Sequence, residues 1–124
     1  MSTRATYEFR DEYGSHTVYK HHDGYPSGAK EWITAAIEKA WPLGRFEADD
    51  FGAAFVAANK DDGGGVRLAK DRDDYGDTEY HYVVTFEDGH LVVEQFEPSG
   101  NWENRRWQSV GKWALSEWQE GVAS

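Results

Sequence analysis

Apolar and polar positions alternate with a period of two over residues 3–10, where Ala5, Tyr7 and Phe9 stand against Arg4, Thr6, Glu8 and Arg10. That is the pattern of a strand with one buried face. Asp11-Glu12-Tyr13-Gly14 reads as a turn, and the Thr-, Val- and Tyr-rich residues 16–21 as a returning strand whose inward residue is either Val18 or Tyr19. From Ser27 the period changes. Ala29, Trp32, Ile33, Ala36, Ile37, Ala40 and Trp41 recur at spacings of three and four, with Lys30, Glu31, Glu38 and Lys39 mostly opposite. This predicts an amphipathic helix, N-capped by Ser27 and ended by Pro42 and Gly44. A second helix is predicted from Asp49 or Asp50, turning Phe51, Ala54, Phe55 and Ala58 inward. Asp61-Asp62-Gly63-Gly64-Gly65 then acts as a joint before a short strand at Val66–Ala69.

Residues 78–87 and 90–97 flank Asp88-Gly89, whose tolerance of positive φ at both positions suits a two-residue type I′ hairpin. The turn sets the register: Glu87 opposes His90, Phe86 opposes Leu91, Val84 opposes Val93 and Tyr82 opposes Gln95. Tyr80, Tyr82, Val84, Phe86, Leu91 and Val93 then share one face, the predicted core face. Pro98-Ser99-Gly100-Asn101 reads as a turn and residues 102–108 as a further strand. Ser109 is placed as the cap of a short closing helix with Trp113, Ala114 and Trp118. The order predicts one α+β domain over residues 1–124, an antiparallel sheet of about five strands with two central helices and a short C-terminal helix on one face. A doubly wound nucleotide fold is disfavoured, because strands do not alternate with helices and no glycine-rich turn follows the first strand.

Charge and composition narrow the function. Twenty-three acidic side chains against thirteen basic ones give a net charge of −10, a field that repels nucleic acid, anionic lipid and phosphorylated ligands unless the few cations gather on one face. The absence of Cys removes disulfides, thiol nucleophiles and Cys-based zinc sites. No apolar segment opens the chain or reaches spanning length, so the expectation is a cytoplasmic protein with no membrane contact. Six Trp, seven Tyr and six Phe concentrate apolar mass in flat side chains, which serve a small core as well as a contact surface.

Candidate chemistry is sparse. The hairpin register puts His81 and His90 about 20 Å apart, too far to share an ion. His21, His22 and Asp23 are adjacent but point to alternate sides, so no metal site is expected. The run Asp71-Arg72-Asp73-Asp74-Tyr75-Gly76-Asp77 begins like a calcium loop, but Tyr75 and Tyr82 stand where two anionic ligands belong. His22 with Asp23, or Glu87 with His90, could do acid-base work, yet Asp23-Gly24-Tyr25-Pro26 is also ordinary turn chemistry at a helix entrance. No nucleophile elbow, phosphate loop or zinc-protease motif occurs, and neither catalytic residues nor a cofactor are predicted.

Two binding surfaces remain. Carboxylates at Glu47, Asp49, Asp50, Asp61, Asp62, Asp71, Asp73, Asp74, Asp77 and Glu79 crowd one region of sequence. With Tyr75 as an aromatic anchor they would offer a negative surface to a basic groove; the plain alternative is a solvated face that keeps the chain soluble. The second candidate is a nucleotide-like ligand held by Trp102, Arg105, Arg106 and Trp107, the only basic-aromatic interleaving, together with His21, His22, Asp23 and Tyr25.

Ser2-Thr3-Arg4-Ala5-Thr6-Tyr7, with Tyr19-Lys20-His21-His22-Asp23-Gly24-Tyr25-Pro26 and Gly28, resembles a set of small, mostly uncharacterised proteins of phages, prophages and other mobile elements. The likeness covers the N-terminal quarter. It implies an accessory factor, and joined to the acidic charge it suggests a nucleic-acid mimic of the anti-CRISPR kind, blocking a host defence or nucleic-acid-handling complex by occupying a basic protein surface. Direct nucleic-acid contact is not expected, and the oligomeric state is left open. Sequestration of a small nucleotide-like ligand is the alternative, and a metal-assisted His/Asp hydrolase a less favoured third.

Overall fold

The first strand pairs not only with its hairpin partner but with a strand that begins 75 residues later, and that pairing organises everything else. The computed structural model describes residues 2–42, 44–60, 65–100 and 105–122. Its elements are β1 (Ala5–Asp11), β2 (Gly14–Lys20), α1 (Pro26–Lys39), α2 (Ala48–Asn59), β3 (Val66–Ala69), β4 (Tyr80–Glu87), β5 (His90–Ser99) and β6 (Arg106–Ala114). A short α3 (Leu115–Glu117) follows and widens into a π turn over Trp118–Val122. The class is α+β, with a six-stranded sheet ordered β3-β2-β1-β4-β5-β6.

One pairing departs from the antiparallel expectation: β1 and β4 run parallel, with Ala5 beside Tyr80 and Tyr7 beside Tyr82. Sequence pattern cannot reveal this, because an alternating strand reads the same whichever way its neighbour runs. The β4–β5 hairpin has the register its turn dictates, from Glu87 opposite His90 to His81 opposite Phe96, with positive φ at Asp88 and Gly89.

Alternation sorts the strands into two faces. Ala5, Tyr7, Phe9, Val18, Tyr82, Val84, Leu91 and Val93 point to the side covered by the helices and are buried there with Ile33, Phe51, Phe55, Leu115 and Trp118. Rings dominate this layer, with Tyr7 4.6 Å from Phe55 and 5.2 Å from Tyr82, centroid to centroid. Val18 and Tyr19 are both buried, on opposite faces.

Several local expectations are corrected. Helix α1 starts one residue before Ser27: Tyr25 is its N-cap and Pro26, which lacks the amide hydrogen a first turn leaves unused, is its first residue. Trp41 lies beyond the helix end and is exposed. Ser109 caps nothing; it sits within β6 opposite Phe96 and donates to Glu94 at 2.8 Å. Trp113 is also in β6, opposite Val93. The joint at 61–64 and the first residues of the predicted strand at 102–108 lie outside the described residues.

Candidate binding site at the end of the sheet

The motif that opens α1 divides into two parts with different work. In its second half, Gly24 passes so close to β1 that a Cβ would lie 2.6 Å from the Ala5 Cβ, and a Cβ on Gly28 would collide with the Asp23 carbonyl oxygen. Asp23 adopts a φ of 54°, its carbonyl accepts the Trp32 indole N–H at 3.0 Å, and its carboxylate accepts the Tyr25 hydroxyl at 3.2 Å. The buried Tyr82 hydroxyl donates to the Gly24 carbonyl at 2.6 Å. These contacts fix the helix entrance against the sheet. Asp23 and Tyr25 are engaged there.

His21 and His22, in the first half, face the other way. His21 donates its backbone N–H to Gly65 at 2.7 Å, while its Nδ1 lies 2.9 Å from the Tyr19 hydroxyl and 3.3 Å from Arg4 Nε. Partial desolvation, followed by the charge of Arg4, pulls its pKa below the usual imidazole value, so the neutral ring is favoured. His22 Nδ1 lies 3.0 Å from the Ser2 hydroxyl.

The segment 70–79, which carries half of the clustered carboxylates, connects β3 at the sheet edge to β4 near its centre. It crosses the face that the helices leave bare. Tyr75 stacks on Tyr19 at 4.0 Å and its hydroxyl donates to the Leu68 carbonyl at 3.3 Å. Asp73 accepts the Trp107 indole N–H at 2.8 Å, and the Arg72 guanidinium lies over Phe96 and Trp107. Arg105 donates to the Gly76 carbonyl at 2.6 Å, and Arg4 pairs with Asp77 at 3.2 Å. Within the segment, Asp71 accepts the Asp73 N–H and Asp74 the Lys70 N–H. The result is a strap held from β2 across to β6, with Asp71, Asp73, Asp74 and Glu79 exposed on it.

Beneath the strap lies a buried polar pair. His81 is fully covered, flanked by Phe96 and Trp107, with Nδ1 2.8 Å from the Thr6 hydroxyl and Nε2 3.2 Å from Glu8. A carboxylate only accepts, so the proton lies on Nε2. Its hydrogen bond, aided by Arg10 and opposed by desolvation, holds the Glu8 carboxyl down at about 2.

The fold therefore unites some predicted site residues and separates others. Asp71, Asp73, Asp74, Tyr75, Asp77 and Glu79 share the strap with Arg105 and Trp107, which hold it down. Asp49 and Asp50 sit in the first turn of α2, behind its N-cap Glu47; Glu47 and Asp49 lie beside Asp11 at the end of β1, and Asp50 accepts the Trp41 N–H, all in the helix layer and on the far side of the sheet from the strap. The carboxylates thus form two groups instead of one surface. Arg106 is exposed on β6 opposite Ser99. Asp61, Asp62 and Trp102 lie outside the described residues. Arg4, Tyr19 and His81 join the site without any local sequence signal, because their partners are far away in the chain.

Two shallow basins flank the Arg4–Asp77 pair. One, of about 310 Å³, is lined by Tyr19, His21, Gly65, Arg67 and Tyr75; the other, of about 360 Å³, includes Thr78, Pro98 and Arg105. Among the described residues no three His, Asp or Glu side chains converge as a metal cage requires, and no helix is long and apolar enough to cross a membrane. Compared with known proteins, the chain matches no family model, no curated protein and no solved structure.

Proposed function

We propose that the protein is a non-catalytic binding protein that acts in the host cytoplasm as a phage or mobile-element accessory factor. It blocks a host defence or nucleic-acid-handling complex by covering a basic protein surface. The observation that carries this reading is the strap: Asp71, Asp73, Asp74 and Glu79 stand exposed on a backbone already fixed by Tyr19, Trp107, Arg105 and Arg4. Carboxylates fixed before contact lose little freedom on binding, so more of their attraction for Lys and Arg is realised. The resemblance of the first quarter of the chain to mobile-element proteins supplies the biological setting.

The carboxylates also hold the strap, so charge has to be removed without removing the acceptor oxygens. Asp71→Asn, Asp73→Asn, Asp74→Asn and Glu79→Gln, combined, do this. With tagged protein in host lysate, one nucleic-acid-handling complex should be retained by the parent chain, released by raised salt, and lost in the combined variant. Asp49→Asn with Asp50→Asn should leave retention intact. Retention of the same complex by the combined variant refutes the strap as the contact surface.

A further inference from the structure

The chain has few cations, and the fold collects several of them at the end of the sheet that carries His21. Arg4 Nε lies 3.3 Å from His21 Nδ1, and Lys20 Nζ 3.5 Å from the His22 carbonyl oxygen. Lys60 Nζ lies 3.3 Å from the carbonyl of Val66, next to the Gly65 that accepts the His21 N–H. Arg67 is exposed in the wall of the 310 Å³ basin, with no carboxylate in ion-pair range among the described residues. Arg4 also holds the Asp77 carboxylate at 3.2 Å. Of these cations, Arg4 and Arg67 place two guanidiniums beside the His21 ring, in a chain whose net charge is −10.

The His21 ring is oriented for donation. Arg4 Nε can only donate, so Nδ1 carries the lone pair and Nε2 the proton; the Tyr19 hydroxyl, 2.9 Å from the same Nδ1, shares that one lone pair. Nε2–H, on the other side of the ring, has no partner among the described residues. Tyr75, immobilised on Tyr19, supplies a flat aromatic wall.

We propose that this basin binds a phosphate monoester dianion, with the Arg67 guanidinium giving two N–H groups, His21 giving Nε2–H, and Tyr75 flanking whatever the phosphate is attached to. Three donors match three phosphate oxygens, whereas a carboxylate would leave one unused. The proposal does not depend on the acidic strap meeting a macromolecule; either can fail alone.

The test follows the imidazole resonances of the full chain in long-range ¹H–¹⁵N spectra at constant ionic strength, first with inorganic phosphate and then with adenosine monophosphate. Saturable shifts at His21, absent with sodium chloride, are expected. Arg67→Ala, an exposed substitution checked for an unchanged circular dichroism spectrum, should weaken apparent affinity about tenfold or more, as loss of a charge-assisted pair implies. Tighter binding of the nucleotide that disappears in Tyr75→Ala assigns a nucleotide; equal binding assigns free phosphate. No saturable shift with either compound, or equal affinity in Arg67→Ala, overturns the proposal.

Discussion

The two faces of the sheet are closed by opposite means. On one, helices bury Tyr7, Phe9, Val18, Tyr82 and Val93 under Phe51 and Phe55 in a layer where shape and apolar area decide the packing. On the other, an acidic strap covers Thr6, Tyr19, His81 and Phe96 through stacked rings, one indole hydrogen bond and guanidinium contacts. The first face gives stability. The second spends buried area on polar pairs that can be matched or mismatched, which makes it the face where charge, ligand and partner can act.

The contrast is broken most severely at Phe55. It is fully buried against Tyr7 and Phe9, so Phe55→Ala should lower unfolding free energy by about 3–5 kcal/mol, read as a large fall in the urea midpoint. A loss under 1 kcal/mol would mean that the helix layer is not the main core. Tyr75→Ala on the other face should remove only about 1 kcal/mol, the scale of one stacked aromatic pair. Its clearer signature is local: amides of residues 70–79 should exchange faster while those of β1 and β4 stay protected. Uniform acceleration would show that the strap is part of the global core.

The last effect is confined to acid. Because the folded Glu8 carboxyl sits at about 2 against its ordinary 4.5, its contribution is fully present above pH 4.5 and is lost as the pH falls toward 2. The stability gap between the parent chain and Glu8→Gln should therefore be constant at neutral pH and narrow across that window. A gap unchanged down to pH 2 would remove the His81–Glu8 hydrogen bond from the account.

What could be read in the chain tracks how local the causes are. Asp88-Gly89 dictates a whole hairpin register because the turn and both strands are contiguous. The α1 pattern is equally self-contained, although Pro26 displaced Ser27 at its start for a steric reason within one residue. The strap was invisible. Asp73 meets Trp107, Tyr75 meets Tyr19 and Asp77 meets Arg4, pairs whose members are 34, 56 and 73 positions apart. Thr6 and Glu8 read as a solvent face in β1, and only the parallel neighbour β4, with His81, turns that face inward. The exclusion of phosphorylated ligands drawn from net charge carried its own exception, a gathering of cations on one face, and folding brings Arg4 and Arg67 beside His21.

The place of β1 in the strand order bears on how the molecule comes into being. Thr6 and His81, partners across β1 and β4, are 75 positions apart, so a ribosome has made the first hairpin and both long helices before the central neighbour of β1 exists. Until then one margin of β1 has unpaired amides and carbonyls beside Tyr7 and Phe9, a template to which another nascent chain can attach. Closing that margin needs a long-range, slow encounter, which makes productive synthesis of this small protein most sensitive to crowding on the polysome and to temperature during expression.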